Sequence, residues 1–325
     1  MEDFAKERGK VKVAVIGMGS LGLLLAGKLG QAGVPLVAVT RTGEQAEKLC
    51  AEGIALEEGG LVRQVSCLAY SIDSWPGEAD LLLVTVKQAA LPDLLQRLSP
   101  ILLPDACLCP LMNGMGHLER IRQDLPHCRL LAAVTTEGAM REGCSSVRHT
   151  GWGKTWIGAP RGPHLPKQRT GLLSDMARDV TSMFNRAGLS AELCGTIETS
   201  MWRKLLVNSL INPLTALLDV PNGLLLQDAF SPLLDRLSSE GIKVARAAGV
   251  PLEEEFDLLR LVREVCRETA DNRSSMLLDL AAGRITEVEW INGYIVAQAV
   301  KWGVAAPCHQ MLRELVRAKE QLNRR

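Results

Sequence analysis

Lys204, Asn208 and Asn212 stand four residues apart in an otherwise apolar run, WRKLLVNSLINPLTALL from Trp202 to Leu218. At ~100° of rotation per residue the three fall within about 80° of arc on one helix face. A cation and two amides on a helix too apolar to be solvated all round need partners, because an unsatisfied buried polar group costs about 1–3 kcal/mol. Solvent or neighbouring side chains are the plain candidates for those partners. A lysine desolvated in this way also loses basicity, which brings it toward the range where it can hand over a proton. Pro213 lacks the amide hydrogen that would bond to the carbonyl of Ser209, so a bend is expected there.

A second constellation lies near the N-terminus. Gly17-Met18-Gly19-Ser20-Leu21-Gly22 is a GxGxxG that follows the strand-like run Val11 to Ile16 and opens an apolar helix. A tight turn, a backbone close to a pyrophosphate and a helix N-terminus aimed at phosphates are what dinucleotide binding requires in that context. A tight turn without a ligand is the bland alternative. The second strand ends at Thr40-Arg41-Thr42, where an NAD site presents an acid; a cation between two hydroxyls suits the 2′-phosphate of NADP instead. Lys87 closes the strand DLLLVTV, and Asn113 closes the next. Each has a dull reading, as a snorkelling lysine and an Asn-Gly turn. Together with Gly17 and Arg41 they fall at the C-terminal ends of parallel strands, the edge where open α/β sheets bind ligands. Further on, Thr286 and Glu289 have capping-box spacing for a helix running to Trp302, and favouring the helix dipole is a sufficient plain reading of Glu287 from spacing alone.

The elements that must carry these residues change character near Gly195. Before it, short β-branched runs alternate with helical segments: strands at Val34–Thr40, Asp80–Val86, Ala106–Met112 and Arg129–Thr135, and helices at Leu21–Gln31, Glu44–Cys50 and Ala90–Leu98. A hairpin or two short strands are expected over Ile54–Tyr70 around Gly59-Gly60. Two short strands, a surface loop from Pro160 to Pro166, a helix over Gly171–Ala187 and a strand at Ser190–Leu193 complete this half. From Thr196 onward the apolar residues recur at helical spacing. The expected fold is α/β, a Rossmann-type doubly wound sheet over 1–194 followed by an all-α domain over 195–325, with residues 1–10 a polar arm.

Composition narrows the function. Of 325 residues, 37 are basic and 37 acidic, which argues against a broad basic face for nucleic acid and against a polybasic membrane surface. Aromatics are 4%, too few for base-stacking platforms. Nine cysteines and five histidines show no CxxC or HxxxH spacing, so no metal site is expected, and unpaired thiols fit a reducing cytoplasm. Val13 to Gly27 mimics a signal-peptide core, but its glycine spacing and Lys28 favour a strand–turn–helix.

The motifs GMGSLG, LLLVTVK ending at Lys87, NGMG from Asn113, WRKLLVNSLINPLTALLDVPNG from Trp202, SSML from Ser274 and TEVEWINGY from Thr286 resemble the ketopantoate reductase (2-dehydropantoate 2-reductase) family over nearly the whole chain. The resemblance implies a helical domain like the C-terminal part of 6-phosphogluconate dehydrogenase. It implies NADPH/NADP+ as cofactor and reduction of ketopantoate to pantoate on the way to pantothenate and coenzyme A. Lys204 corresponds to the general acid, and Asn208, Asn212, Asn222 and Ser275 to substrate contacts. Asn113 corresponds to the residue between nicotinamide and substrate, Glu287 to an acid on the cofactor side, Arg41 and Lys87 to cations for the NADP phosphate, and Ala139 to a backbone contact with the cofactor. A small 2-oxo acid is the expected partner, in a monomer or homodimer. A paralogue reducing another branched 2-oxo acid stays open. A non-catalytic NADPH sensor predicts damage at Lys204, Asn208 or Ser275, and all three keep the expected type.

Overall fold

The computed structural model describes residues 11–161, 170–253 and 256–323. The polar arm 1–10 and all of the Pro160–Pro166 loop beyond Arg161 lie outside the described residues. The chain divides into two compact units: residues to Met112 with His117–Ile197, and Asn113–Gly116 with Glu198–Arg325.

In the first unit the order is β1 (Val13–Ile16), α1 (Ser20–Gln31), β2 (Leu36–Thr40), α2 (Gly43–Glu52), β3 (Ile54–Glu58), β4 (Leu61–Val65), β5 (Leu68–Ser71), β6 (Leu81–Val84), α3 (Leu91–Leu98), β7 (Cys107–Pro110), α4 (His117–Asp124), β8 (Arg129–Leu130), β9 (Ala132–Thr135), β10 (Gly138–Arg141), β11 (Ser146–Gly151), β12 (Thr155–Gly158), α5 (Thr170–Arg186) and β13 (Ala191–Leu193). A six-stranded sheet runs β5-β2-β1-β6-β7-β8, parallel throughout. β1, β6 and β7 are buried along their whole length, which is why they read as continuous apolar runs. Two smaller sheets follow, β10-β11-β3-β4 and β13-β12-β9. Helix α1 packs on β1 and β2 and also against β3, β10 and β11. That double burial explains why Leu23, Leu24, Leu25, Ala26 and Leu29 leave it no polar face.

Two expectations are refined. The Ile54–Tyr70 segment is a hairpin (β3 and β4, turning at Gly59-Gly60) plus a third strand, β5, which leaves the hairpin to pair with β2. The single strand expected over Arg129–Thr135 is two: β8 closes the main sheet, whereas β9 pairs antiparallel with β12 in another.

The second unit contains α6 (Ile197–Leu218), α7 (Ser231–Ala247), α8 (Leu258–Glu268), α9 (Ser275–Ala281), α10 (Asn292–Trp302) and α11 (Pro307–Leu322), with short 3-10 turns at Asn222–Leu226 and Val288–Trp290. α6 continues through Pro213. The capping box expected at Thr286 does not form, and α10 starts only at Asn292. The Thr286 N–H donates instead to Glu320 at 2.7 Å, while the Glu289 carboxylate accepts from Arg313 Nε at 2.8 Å and pairs with Arg317. Charge-assisted bonds from α11 have displaced a local motif. Among the described residues no helix is long and apolar enough to cross a membrane, and no group of three or more His, Cys, Asp or Glu could hold a metal ion.

Candidate active site

The glycine turn is shaped by backbone contacts. Gly17 has φ +96°, and a Cβ there would lie 2.7 Å from Val86 Cγ1. At Gly22 a Cβ would meet the Gly17 carbonyl oxygen at 1.9 Å, so α1 can pack this close to the turn only with glycine. Gly19, the residue before α1, is different: nothing lies within 4 Å of a Cβ built on it. The N-terminus of α1 therefore presents Ser20, Leu21 and Gly22 beneath open space, the cradle a pyrophosphate requires. Met18 is buried, its carbonyl accepting from Gln45 Nε2 at 2.9 Å; the same nitrogen reaches the Cys144 carbonyl at 2.8 Å. The Ser20 hydroxyl accepts from the Arg141 N–H at 3.2 Å. Thr85, just past β6, places its hydroxyl 2.7 Å from the Gly17 carbonyl and 3.0 Å from that of Ile16.

β2, β1 and β6 are adjacent, so Arg41, the glycine turn and Lys87 follow neighbouring strand ends. Arg41 and Lys87 are exposed, and Arg41 makes no hydrogen bond or ion pair among the described residues. Its flanking hydroxyls have structural work: Thr40 donates to the Thr42 carbonyl at 2.8 Å, and Thr42 caps α2 by accepting from the Gln45 N–H. The cation, not the hydroxyl pair, is what remains for a ligand. Ala139 lies in β10, opposite His149 of β11. The imidazole of that histidine is held between Glu58 (3.0 Å) and Glu137 (2.6 Å), and Glu58 also accepts from Lys28 of α1 at 2.8 Å. Burial opposes ionisation of Glu58, but Lys28 and His149 outweigh it and hold this carboxyl below its ordinary range. The segment carrying Ala139 is thus tied to the helix that starts at the glycine turn.

In the helical unit Lys204, Asn208 and Asn212 line successive turns of α6. Lys204 is half-buried; desolvation brings its ammonium down to about 8, and the nearby Glu287 carboxylate opposes the shift. The side-chain amides of Asn208 and Asn212 have no hydrogen-bond partner among the described residues, although Asn212 is only 8% exposed. Asn222 donates to Thr269 Oγ1 at 2.9 Å while its own buried Oδ1 has no partner among the described residues. Ser275 is exposed at the start of α9. Its neighbour Ser274 is the buried cap of that helix, accepting from the Leu277 N–H, and its hydroxyl is 2.8 Å from that of Thr215, one turn beyond Asn212. Asn113 donates to Glu287 Oε2 at 3.2 Å. Behind it the Met115 N–H bonds to the Trp290 carbonyl at 2.9 Å, and Gly114 (φ +73°) approaches that carbonyl so closely that a Cβ would lie 2.5 Å from it.

Gln45, Thr85, Thr215, Ser274 and Thr269 were not foreseen. Each bonds to a residue distant in sequence; Thr85, Thr215 and Ser274 lie inside quoted motifs, but nothing local marks their partners.

The family model described as ketopantoate reductase PanE/ApbA matches residues 13–162, and its C-terminal counterpart matches 196–320. The 2-dehydropantoate 2-reductase of Vibrio cholerae is 33% identical over 311 residues, covering 96% of this chain and 98% of the relative. That of Archaeoglobus fulgidus is 34% identical over 314 residues, covering 95% and 98%. Among solved structures, a PanE/ApbA family ketopantoate reductase from Ralstonia eutropha JMP134 superposes with TM-score 0.85 at 28% identity, covering 97% of this chain and all of the other. A D-mandelate dehydrogenase solved with NADH and anilino(oxo)acetate gives TM-score 0.86 at 25% identity, covering 96% and 99%. The family models match both halves and these relatives match nearly the whole length: the chain is an oxidoreductase that belongs to the ketopantoate reductase family.

Proposed function

We propose that the protein reduces ketopantoate to pantoate with NADPH, in the cytoplasm, as a step toward pantothenate and coenzyme A. The observation that carries this reading is the α6 stripe: an ammonium brought to about 8, followed by two side-chain amides without partners among the described residues. A bound nicotinamide supplies hydride to C2 of the 2-oxo acid. Lys204 polarises the C2 carbonyl and delivers a proton to the oxygen as negative charge develops there. Asn208, Asn212, Asn222 and Ser275 bind the carboxylate and hydroxyl of the substrate without adding a charge that competes with Lys204. Asn113, held by Glu287, would contact nicotinamide and substrate, and Glu287 keeps a compensating negative charge near the ammonium. The Gly17–Gly22 turn and the Ala139 backbone hold the dinucleotide, and Arg41 and Lys87 take the 2′-phosphate. The residues fit the cofactor, because the space above Gly19 and an exposed cation at the end of β2 are both required for it.

The test is purified protein with NADPH or NADH and a panel of ketopantoate, pyruvate and 2-oxoisovalerate. A clear preference for ketopantoate with NADPH is expected; no preference among the acids removes the substrate assignment. A second reading, a related reductase of another 2-oxo acid, is favoured by the equally good superposition on D-mandelate dehydrogenase. It predicts that a different acid wins the same panel.

A further inference from the structure

Pro213 sits inside α6, so the carbonyl of Ser209 cannot receive the amide hydrogen that a helix normally supplies four residues on. Ser209 is fully buried, and a buried carbonyl needs a donor. The donor comes from 83 residues away in sequence: Asn292, the first residue of α10, places Nδ2 3.0 Å from the Ser209 carbonyl. The same Nδ2 lies 3.1 Å from Nδ1 of His309 in α11, and His309 Nε2 is 3.0 Å from the Leu237 carbonyl in α7. The proton positions follow from chemistry. A carbonyl only accepts, so His309 Nε2 carries the hydrogen, Nδ1 accepts, and the amide must turn its NH2 toward both. Burial pushes His309 below its ordinary range, against the pull of Glu240, which keeps the ring neutral. Glu240 of α7 also fixes the histidine's backbone by accepting from the Cys308 N–H at 2.9 Å and the His309 N–H at 3.3 Å. Asn292 and His309 are as completely buried as Ser209, so water does not compete.

We infer that Asn292 is a positioning residue for the reductase reaction, an inference that rests on the reading given above. Ser209 lies between Asn208 and Asn212, and Asn292 follows Glu287 by five residues. The bridge therefore sets the register of the amide stripe, with Lys204 one turn before it, against the turn that holds Glu287. Pro213 is what opens the docking point. With an ordinary residue there the Ser209 carbonyl would be satisfied inside α6, and Asn292 would be one of two donors rather than the one that substitutes.

The test is a cycle of Asn292→Leu, Pro213→Ala and the double variant, since residue 213 regains an N–H for Ser209 when proline is replaced. Asn292→Leu should lower kcat on the 2-oxo acid about 100-fold, as expected for a misplacement of about 1 Å, with NADPH affinity unchanged. Pro213→Ala alone should stay within about threefold of the parent, and the double variant should recover at least about tenfold of the lost turnover, a non-additivity that independent sites do not show. Asn292→Asp, nearly isosteric but unable to donate to Ser209, should behave like Asn292→Leu. Parent-like turnover in Asn292→Leu, or a double variant as impaired as it, overturns the inference. If the parent protein reduces no 2-oxo acid at all, the reductase reading fails separately. The same cycle followed by thermal unfolding then decides the bridge: recovery of Tm in the double variant retains it, and additive loss removes it.

Discussion

Around Gly17–Gly22 the chain is held by itself, through glycines whose missing Cβ atoms let backbone meet backbone and a threonine hydroxyl 68 residues on that locks one carbonyl. Lys204, Asn208 and Asn212 are held in the opposite manner. Their helix carries an interior proline, and its placement depends on side chains from elsewhere: Asn292 on Ser209, Ser274 on Thr215, and Lys319 of α11 closing the Ala216 and Leu217 carbonyls at 2.8 Å each. The difference matches the ligands proposed for each place. A pyrophosphate is the same in every substrate pair and can be met by invariant backbone groups, whereas a substrate acid differs in its side chain and is met by groups that single substitutions can retune.

That contrast can be broken most severely at Lys204. Lys204→Ala should lower kcat by about 100- to 10,000-fold, the range for loss of a general acid, with NADPH affinity in a fluorescence titration unchanged. In the parent protein the reduction rate should fall as pH rises through about 8, because the proton donor is lost there. Lysine ionisation also affects stability, with the sign set by its depressed value. From 10.5 in the unfolded chain to about 8 when folded, the shift handicaps the native state fully below about 8, and the handicap lifts as pH climbs toward 10.5. A rise in Tm between pH 7 and 10 that shrinks in Lys204→Met, relative to the parent, is the expected signature.

The next largest effects separate two glycines of one turn. Gly22→Ala must displace the Gly17 carbonyl, so both Tm and cofactor binding should drop, whereas Gly19→Ala meets nothing in the protein and should weaken NADPH binding with Tm intact. Equal Tm losses would falsify the view that the space above Gly19 is reserved for a ligand. Arg41→Asp should cost NADPH more than NADH, by about 1.4 kcal/mol or more, a tenfold difference in Kd; equal losses remove Arg41 from the 2′-phosphate. Smallest is Thr215→Val, which removes one buried hydroxyl contact and should cost about 1 kcal/mol in chemical denaturation, with a raised KM for the acid and unchanged KM for NADPH.

The glycine turn was legible because its constraints are local: strand, glycine spacing and helix follow one another within a dozen residues. The amide stripe was legible because helical periodicity displays it. The supports of that stripe were not, since Asn292 and Ser209 are 83 residues apart and Ser274 and Thr215 are 59 apart, and no local pattern marks such pairs. Local reasoning also misled at Thr286 and Glu289, where cap spacing was correct but arginines from α11 and the Glu320 carboxylate competed better. At Leu131 the chain passes from one sheet to another within an apolar run, and apolar character alone cannot say which neighbour a strand will choose.

Residues 113–116 belong to the helical unit although they are bounded on both sides by the sheet unit. The helical unit is therefore not a continuous stretch of gene. A fragment beginning near residue 198 would lack four residues of its own body, leaving the Trp290 carbonyl and the Glu287 carboxylate without the loop that meets them. Recombination that exchanged the C-terminal half with a relative would mismatch Asn113 and Glu287, which are 174 positions apart yet bonded at 3.2 Å. A chimaera between relatives should therefore need its 113–116 loop taken from the same parent as its helices.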